Sequence, residues 1–157
     1  MQTTSDGVER PREVVRHPGA VCIVPILDHD QPGAQRVCLI RNERVAVGQK
    51  LIELPAGTLE PGEDPRDTAA RELAEETGYR AGRVEPLAEF HTSPGILDER
   101  MYLFLAADLT AGDRDLQPGE EIENLVVPLS EAMAMVRRGE IVDAKTLVGL
   151  LWYHAMC

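Results

Sequence analysis

The chain has 157 residues, 43% of them hydrophobic and 27% charged, enough length and apolar content to bury one core without staples. Its net charge of −11 argues against non-specific binding to nucleic acid or to an anionic membrane, whose phosphates it would repel. A small anionic substrate stays open, provided a metal ion supplies local positive charge.

Residues 1–13 are polar, carry Gly7 and Pro11, and read as a flexible arm of a single domain spanning 1–157. No secretory h-region precedes Arg16 and no window reaches membrane-spanning length, so a cytoplasmic location is expected. Ala20–Leu27 (AVCIVPIL) and Val37–Arg41 (VCLIR) are short, β-branched apolar runs and read as strands joined by the turn DHDQPGAQ. Cys22, Cys38 and Cys157 are odd in number and lack CxxC spacing, so neither a disulfide framework nor a zinc site is indicated. Leu51–Leu54 is extended and leads through Pro55-Ala56-Gly57 into a loop whose Pro61-Gly62 is a turn signal.

A helix is expected from Asp64 as N-cap, with Pro65 at its first position and Gly78 as its stop. On a wheel of about 100° per residue, Ala70, Leu73, Ala74 and Thr77 form the expected core face. Glu72, Glu75 and Glu76 fall opposite, within one turn of each other. Unneutralised carboxylates at that spacing repel, and a plain solvated face would intersperse lysines, whereas the nearest base is Arg71. Hard divalent cations such as Mg²⁺ are held by one or two carboxylates with substrate phosphates and water. The pattern therefore points to a divalent-metal site serving phosphate chemistry. Further on, Val84–Phe90, Arg100–Ala107 and Ile122–Pro128 read as strands. Ser130 is expected to cap a helix to about Arg138, and Asp143 a last one over 144–155. The order of elements predicts an α/β (α+β) fold, a mixed sheet sandwiched between helices.

Residues 57–79, GTLEPGEDPRDTAARELAEETGY, resemble the Nudix box. Gly57, Glu63, Arg71, Glu72, Leu73, Glu75, Glu76 and Gly78 stand at its fixed positions, and Tyr79 replaces an aliphatic at the last. The resemblance implies the Nudix fold, with Glu72 and Glu76 as principal metal ligands, Glu75 assisting, and the Ala56 carbonyl as a further ligand. It implies Mg²⁺, Mn²⁺ or another divalent cation, and a structural ion pair between Arg71 and Glu63.

Outside the box, Glu53-Leu-Pro-Ala-Gly57, Ser93-Pro-Gly-Ile-Leu-Asp-Glu99 and Gly139–Leu147 resemble the ADP-ribose and ADP-sugar pyrophosphatase subfamily. That subfamily implies a nucleoside diphosphate substrate and a general base from a loop outside the box. Here the loop GDRDLQPGEEIE supplies Glu121, then Glu120, with Glu75 as the fallback. Similar enzymes imply a role for Glu53 at the adenine or terminal ribose side. Arg41 and Arg44 are candidate phosphate contacts, or else a solvent-facing strand end. A homodimer is implied, although the N-terminus is shorter than the strands that similar enzymes exchange. Other nucleoside diphosphate derivatives (dinucleoside polyphosphates, oxidised nucleotides, NADH) and a non-catalytic ligand sensor are the competing readings.

Overall fold

A run of eight residues that is buried on both faces organises the molecule. β3 (Ala20–Leu27) sends Ala20, Cys22, Val24 and Ile26 into one apolar cluster and Val21 and Ile23 into another. Side chains alternate across a strand, so a continuous apolar run must be covered on both sides. The computed structural model describes residues 1–116 and 121–156. Glu120, a candidate base, and Cys157 lie outside the described residues.

Strand β4 (Arg36–Arg44) follows β3 antiparallel, with Ile26 opposite Val37, and pairs on its other edge with β5 (Gln49–Glu53). The short β6 (Ala56–Thr58) lies antiparallel on β3, at a place the sequence reads as loop entry. Helix α1 (Pro65–Thr77) comes next, then the long strands β7 (Tyr79–His91) and β8 (Arg100–Ala111). β8 runs parallel to β3, and β9 (Glu123–Pro128) antiparallel to β4. Helices α2 (Leu129–Arg138) and α3 (Ala144–Met156) close the chain. The result is a mixed seven-stranded sheet with order β5-β4-β3-β8-β7, to which β6 and β9 attach. Ala69 and Leu73 of α1 cover the face carrying Val21, Ile23 and Phe104; Met133 and Met135 of α2 and Leu150 and Tyr153 of α3 cover the other. This is the sandwich the order of elements predicts.

Three local expectations change. The polar N-terminus holds a small separate hairpin, β1 (Gln2–Thr3) against β2 (Glu9–Arg10), and is almost wholly exposed. Ser130 lies inside α2, whose N-cap is Pro128 with no side-chain cap. Proline cannot continue a helix backwards and is well tolerated at its entry, so α2 begins two residues earlier. On α1 the inward arc is centred about one residue from the expected one. Thr68, Ala69, Glu72, Leu73, Glu76 and Thr77 are buried, whereas Ala70 is exposed. Glu72 and Glu76 therefore share the sheet-facing side instead of opposing it.

Candidate active site

Helix α1 is fixed at both ends by its sequence. Asp64 Oδ1 accepts a hydrogen bond from the Arg66 amide at 2.8 Å, and Pro65 occupies a position whose N–H would have no partner. Gly78 closes it at φ +78°, its amide donating to the Ala74 carbonyl. A Cβ there would also lie 2.6 Å from the Gly112 carbonyl oxygen. Only glycine meets both demands.

Held this way, α1 presses Glu72 and Glu76 onto β6. Glu76 Oε2 accepts the Ala56 amide at 3.0 Å. A Cβ on Gly57 would overlap the Glu72 carboxyl, so the missing side chain makes the room in which that carboxylate sits. Arg71 braces the arrangement from outside. Its Nε and Nη2 donate to the two oxygens of Glu63 at 3.0 and 3.1 Å, a bidentate fork. Its Nη1 reaches Glu72 Oε1 at 2.8 Å and Glu75 Oε2 at 3.1 Å. The guanidinium hydrogen bonds hold the Glu63 carboxyl well below the usual carboxylate range, at about 2.

Glu72, Glu76, Ala56, Gly57 and Arg44 line one cleft of about 470 Å³. Arg44, Ala56 and Gly57 also line a second cleft, of about 510 Å³, whose other walls include Glu53, Lys145, His17 and Glu99. Each volume falls within the roughly 300–1,000 Å³ typical of small-ligand pockets. The two share a wall, which suits a ligand with a charged centre and two arms. His17 and Glu99 face the second cleft because residues 15–17 clasp the loop before β8. The Asp98 carboxylate accepts from the His17 amide at 2.8 Å and from Arg16 Nη1 at 2.7 Å.

Glu53 is fully buried and takes the Arg44 fork, Nε to Oε1 at 2.8 Å and Nη2 to Oε2 at 2.7 Å. Lys145 Nζ donates to the same Oε2 at 2.5 Å and to Asp143 Oδ2 at 3.0 Å. Burial pushes the Glu53 carboxyl up, and the arginine and lysine together outweigh it, leaving it below its ordinary value.

The structure thus gathers Glu72, Glu76, Ala56 and Arg44 in one cleft and Glu53 in the next. It lines neither cleft with Glu75, Arg41 or Glu121. Strand alternation turns Arg41 to the face of β4 opposite Asn42 and Arg44, 4.0 Å from Glu123. Glu121 is exposed just before β9. Lys145, His17 and Glu99 have no assigned role in the sequence reading, and Asp143 has only that of the cap of the last helix, a bond it makes by accepting the Thr146 amide at 3.0 Å. The one available signal was a lysine opening an otherwise apolar helix, AKTLVGLLWYHAM.

Among the described residues no three His, Cys, Asp or Glu side chains converge as a ready-made metal nest. Two inward carboxylates one helical turn apart, beside a backbone stripped of its side chain at Gly57, still fit a hard divalent cation that arrives with an anionic substrate.

Comparison with known proteins agrees with this geometry. The family described as NUDIX domain matches residues 16–148. The chain is 38% identical over 143 residues to an ADP-ribose pyrophosphatase of Bacillus subtilis (strain 168), covering 90% of this chain and 75% of that protein. It is also 38% identical over 160 residues to a GDP-mannose pyrophosphatase of Cronobacter sakazakii (strain ATCC BAA-894), covering 92% and 82%. A solved structure described as an ADP compounds hydrolase superposes with a TM-score of 0.85 at 26% identity, covering 98% of this chain and 80% of that one.

Proposed function

The chain belongs to the NUDIX domain family, and from that premise we propose that it hydrolyses the diphosphate bond of ADP-ribose or a related ADP-sugar, giving AMP and the sugar phosphate. The observation that carries the reading is the pair of joined clefts, one lined by Glu72 and Glu76 and the other by apolar side chains (Val47, Leu51, Met101) together with His17, Glu53, Glu99 and Lys145, a mixed lining suited to a nucleoside or sugar. Glu72 and Glu76 would hold a divalent cation, Mg²⁺ in the first instance, with the Ala56 carbonyl and Glu75 in support. When bound, such an ion neutralises charge developing on phosphorus and acidifies water.

The remaining work falls to the chain's own groups. Arg44 offers its guanidinium to a phosphate oxygen at the shared wall, a role its position supports better than that of Arg41. Arg71 and Glu63 lock the loop to α1 so that Glu72 keeps its place beside Gly57. For the proton of the attacking water the family resemblance points first to Glu121, which stands exposed before β9 outside both clefts, then to Glu120, with Glu75 as the fallback within α1. Water adds to phosphorus, the bridging P–O bond breaks, and the leaving phosphate departs with its electron pair. We assign the protein to the cytoplasm as a homodimer, with no nucleic-acid or membrane partner; among the described residues no helix is long and apolar enough to cross a membrane.

The GDP-mannose relative keeps a second reading open, a nucleotide-sugar pyrophosphatase with another base. A panel of ADP-ribose, ADP-glucose, GDP-mannose, NADH, diadenosine polyphosphates and 8-oxo-dGTP with Mg²⁺ separates them. Fastest turnover of ADP-ribose to AMP and ribose 5-phosphate is expected. Preference for GDP-mannose would select the second reading, and no turnover of any compound would remove both.

A further inference from the structure

The two clefts are joined by the four-residue segment Glu53-Leu-Pro-Ala56, which is anchored along its length. At its far end the Ala56 amide is held by Glu76 of α1. In the middle the Pro55 carbonyl accepts the Ile23 amide of β3 at 2.9 Å. At its near end, besides the Arg44 fork from β4, two anchors come from the first turn of α3. The Leu54 amide donates to Thr146 Oγ1 at 2.8 Å, and Thr146 Oγ1 donates to Asp143 Oδ2 at 2.6 Å. Lys145 Nζ bridges Asp143 and Glu53.

Glu53 has no exposed surface, while Arg44 keeps 42% of its side chain exposed. Each Glu53 oxygen engages the Nε–Nη2 edge of Arg44, so the opposite edge, with Nη1, is turned away from Glu53. Arg44 is the only charged residue common to both clefts among their lining residues. A guanidinium gripped along one edge has its free edge aimed, whereas an ungripped arginine samples many rotamers and contributes less at any one of them. A buried carboxylate facing one arginine alone would tolerate several geometries. The Lys145 ammonium on Oε2 removes that freedom, and Asp143 holds the ammonium in turn.

We propose that Lys145 and Glu53 are positioning residues, with Glu53 aiming Arg44 at the diphosphate and Lys145 fixing Glu53, so that the first turn of α3 sets the orientation of a phosphate-binding group on β4. Glu53 then acts through Arg44 and not by touching the nucleoside. The proposal rests on the reading of Arg44 as a phosphate contact, and its test separates the two.

Lys145→Met, Arg44→Lys and the double variant are compared by kcat/KM for ADP-ribose. Each single change is expected to lower it about tenfold or more, since small misplacements at a reacting centre carry losses of that order. The double variant is expected to fall no further than Arg44→Lys alone, because both changes remove one aimed contact. Multiplying losses in the double variant would overturn the proposal. If Lys145→Met does not fold, Lys145→Gln enters the same cycle under the same criterion. The Arg44 Nε–H resonance, assigned by its absence in Arg44→Lys, gives a readout that needs no substrate. It should be sharp and slow to exchange in the wild type, and broad or fast-exchanging in the Lys145 variant. An unchanged resonance overturns the proposal even if ADP-ribose proves to be the wrong substrate.

Discussion

Two arginines in this protein each fork a glutamate, and the two forks do different jobs. Arg71 grips Glu63, whose side chain is 19% exposed, within one contiguous stretch that also supplies Glu72 and Glu75. Arg44 grips Glu53, which is fully buried, and the third partner, Lys145, comes from 92 residues further along the chain. The first fork braces a loop against the helix that carries the acids. The second turns the free edge of an arginine toward the wall between two clefts. The same bidentate geometry is a local clamp in one case and a long-range aiming device in the other, because burial and third partners differ.

The largest expected effect separates chemistry from both clamps. Glu76→Gln keeps shape and volume, and should fold with both forks intact. It should lose more than about 100-fold in kcat, since even the outer partners of metal ligands are worth ~10–100-fold. Near-wild-type turnover would refute the ligand assignment. Gly57→Ala comes next. The added methyl collides with a side-chain end that can swing, so the fold should survive while Glu72 is displaced. A loss of roughly 10- to 100-fold in turnover is expected, with little change in melting temperature. A drop in melting temperature with normal turnover would show that Gly57 serves the fold and not the cleft.

Two smaller effects concern the Arg71 side, the first with a control on α2. Asp64→Ala removes the N-cap bond and should cost about 1 kcal/mol of stability, read by denaturant unfolding. Ser130→Ala, inside α2 with no capping role, should stay within about 0.5 kcal/mol. Equal costs for the two would contradict the cap assignments. Glu63 titrates near 2 in the folded protein, below its ordinary value of 4.5. The unfolded chain therefore binds its proton first as pH falls. The stabilisation is complete above about 4.5 and drains away as pH drops toward 2. Acid unfolding curves of the wild type and Glu63→Gln should converge across that window, and parallel curves would show that the fork contributes nothing there.

The Arg71 side was legible in the sequence because its signals are local. Capping residues, a turn and the spacing of acids all fall within residues 57–79, and the family resemblance rests on the same residues. The central strands were legible for a related reason, since apolar runs such as AVCIVPIL leave few alternatives. Edge structure was harder to read. β7 starts at Tyr79 and not Val84, pairing with β8 on both sides of Gly82, and a register shift between Pro86 and Ala88 absorbs the proline. The inward arc of α1 was misplaced because Ala70 and Ala74 counted as core while glutamates counted as surface. In the structure that inversion is the site itself, with carboxylates buried where a purely structural helix would put leucine. On the Arg44 side the sequence names Arg44 and Glu53 but not the lysine that links them to α3. No local pattern ties Glu53 to Lys145, and only the packing of α3 on the sheet brings them together.

The central claim is that the carboxylates buried on α1 serve metal-dependent cleavage of a diphosphate. The most direct measurement is ADP-ribose hydrolysis by protein stripped with EDTA, before and after adding back Mg²⁺. The account predicts no AMP from the stripped protein and full recovery of AMP and ribose 5-phosphate with Mg²⁺. Undiminished turnover by the stripped protein would contradict it.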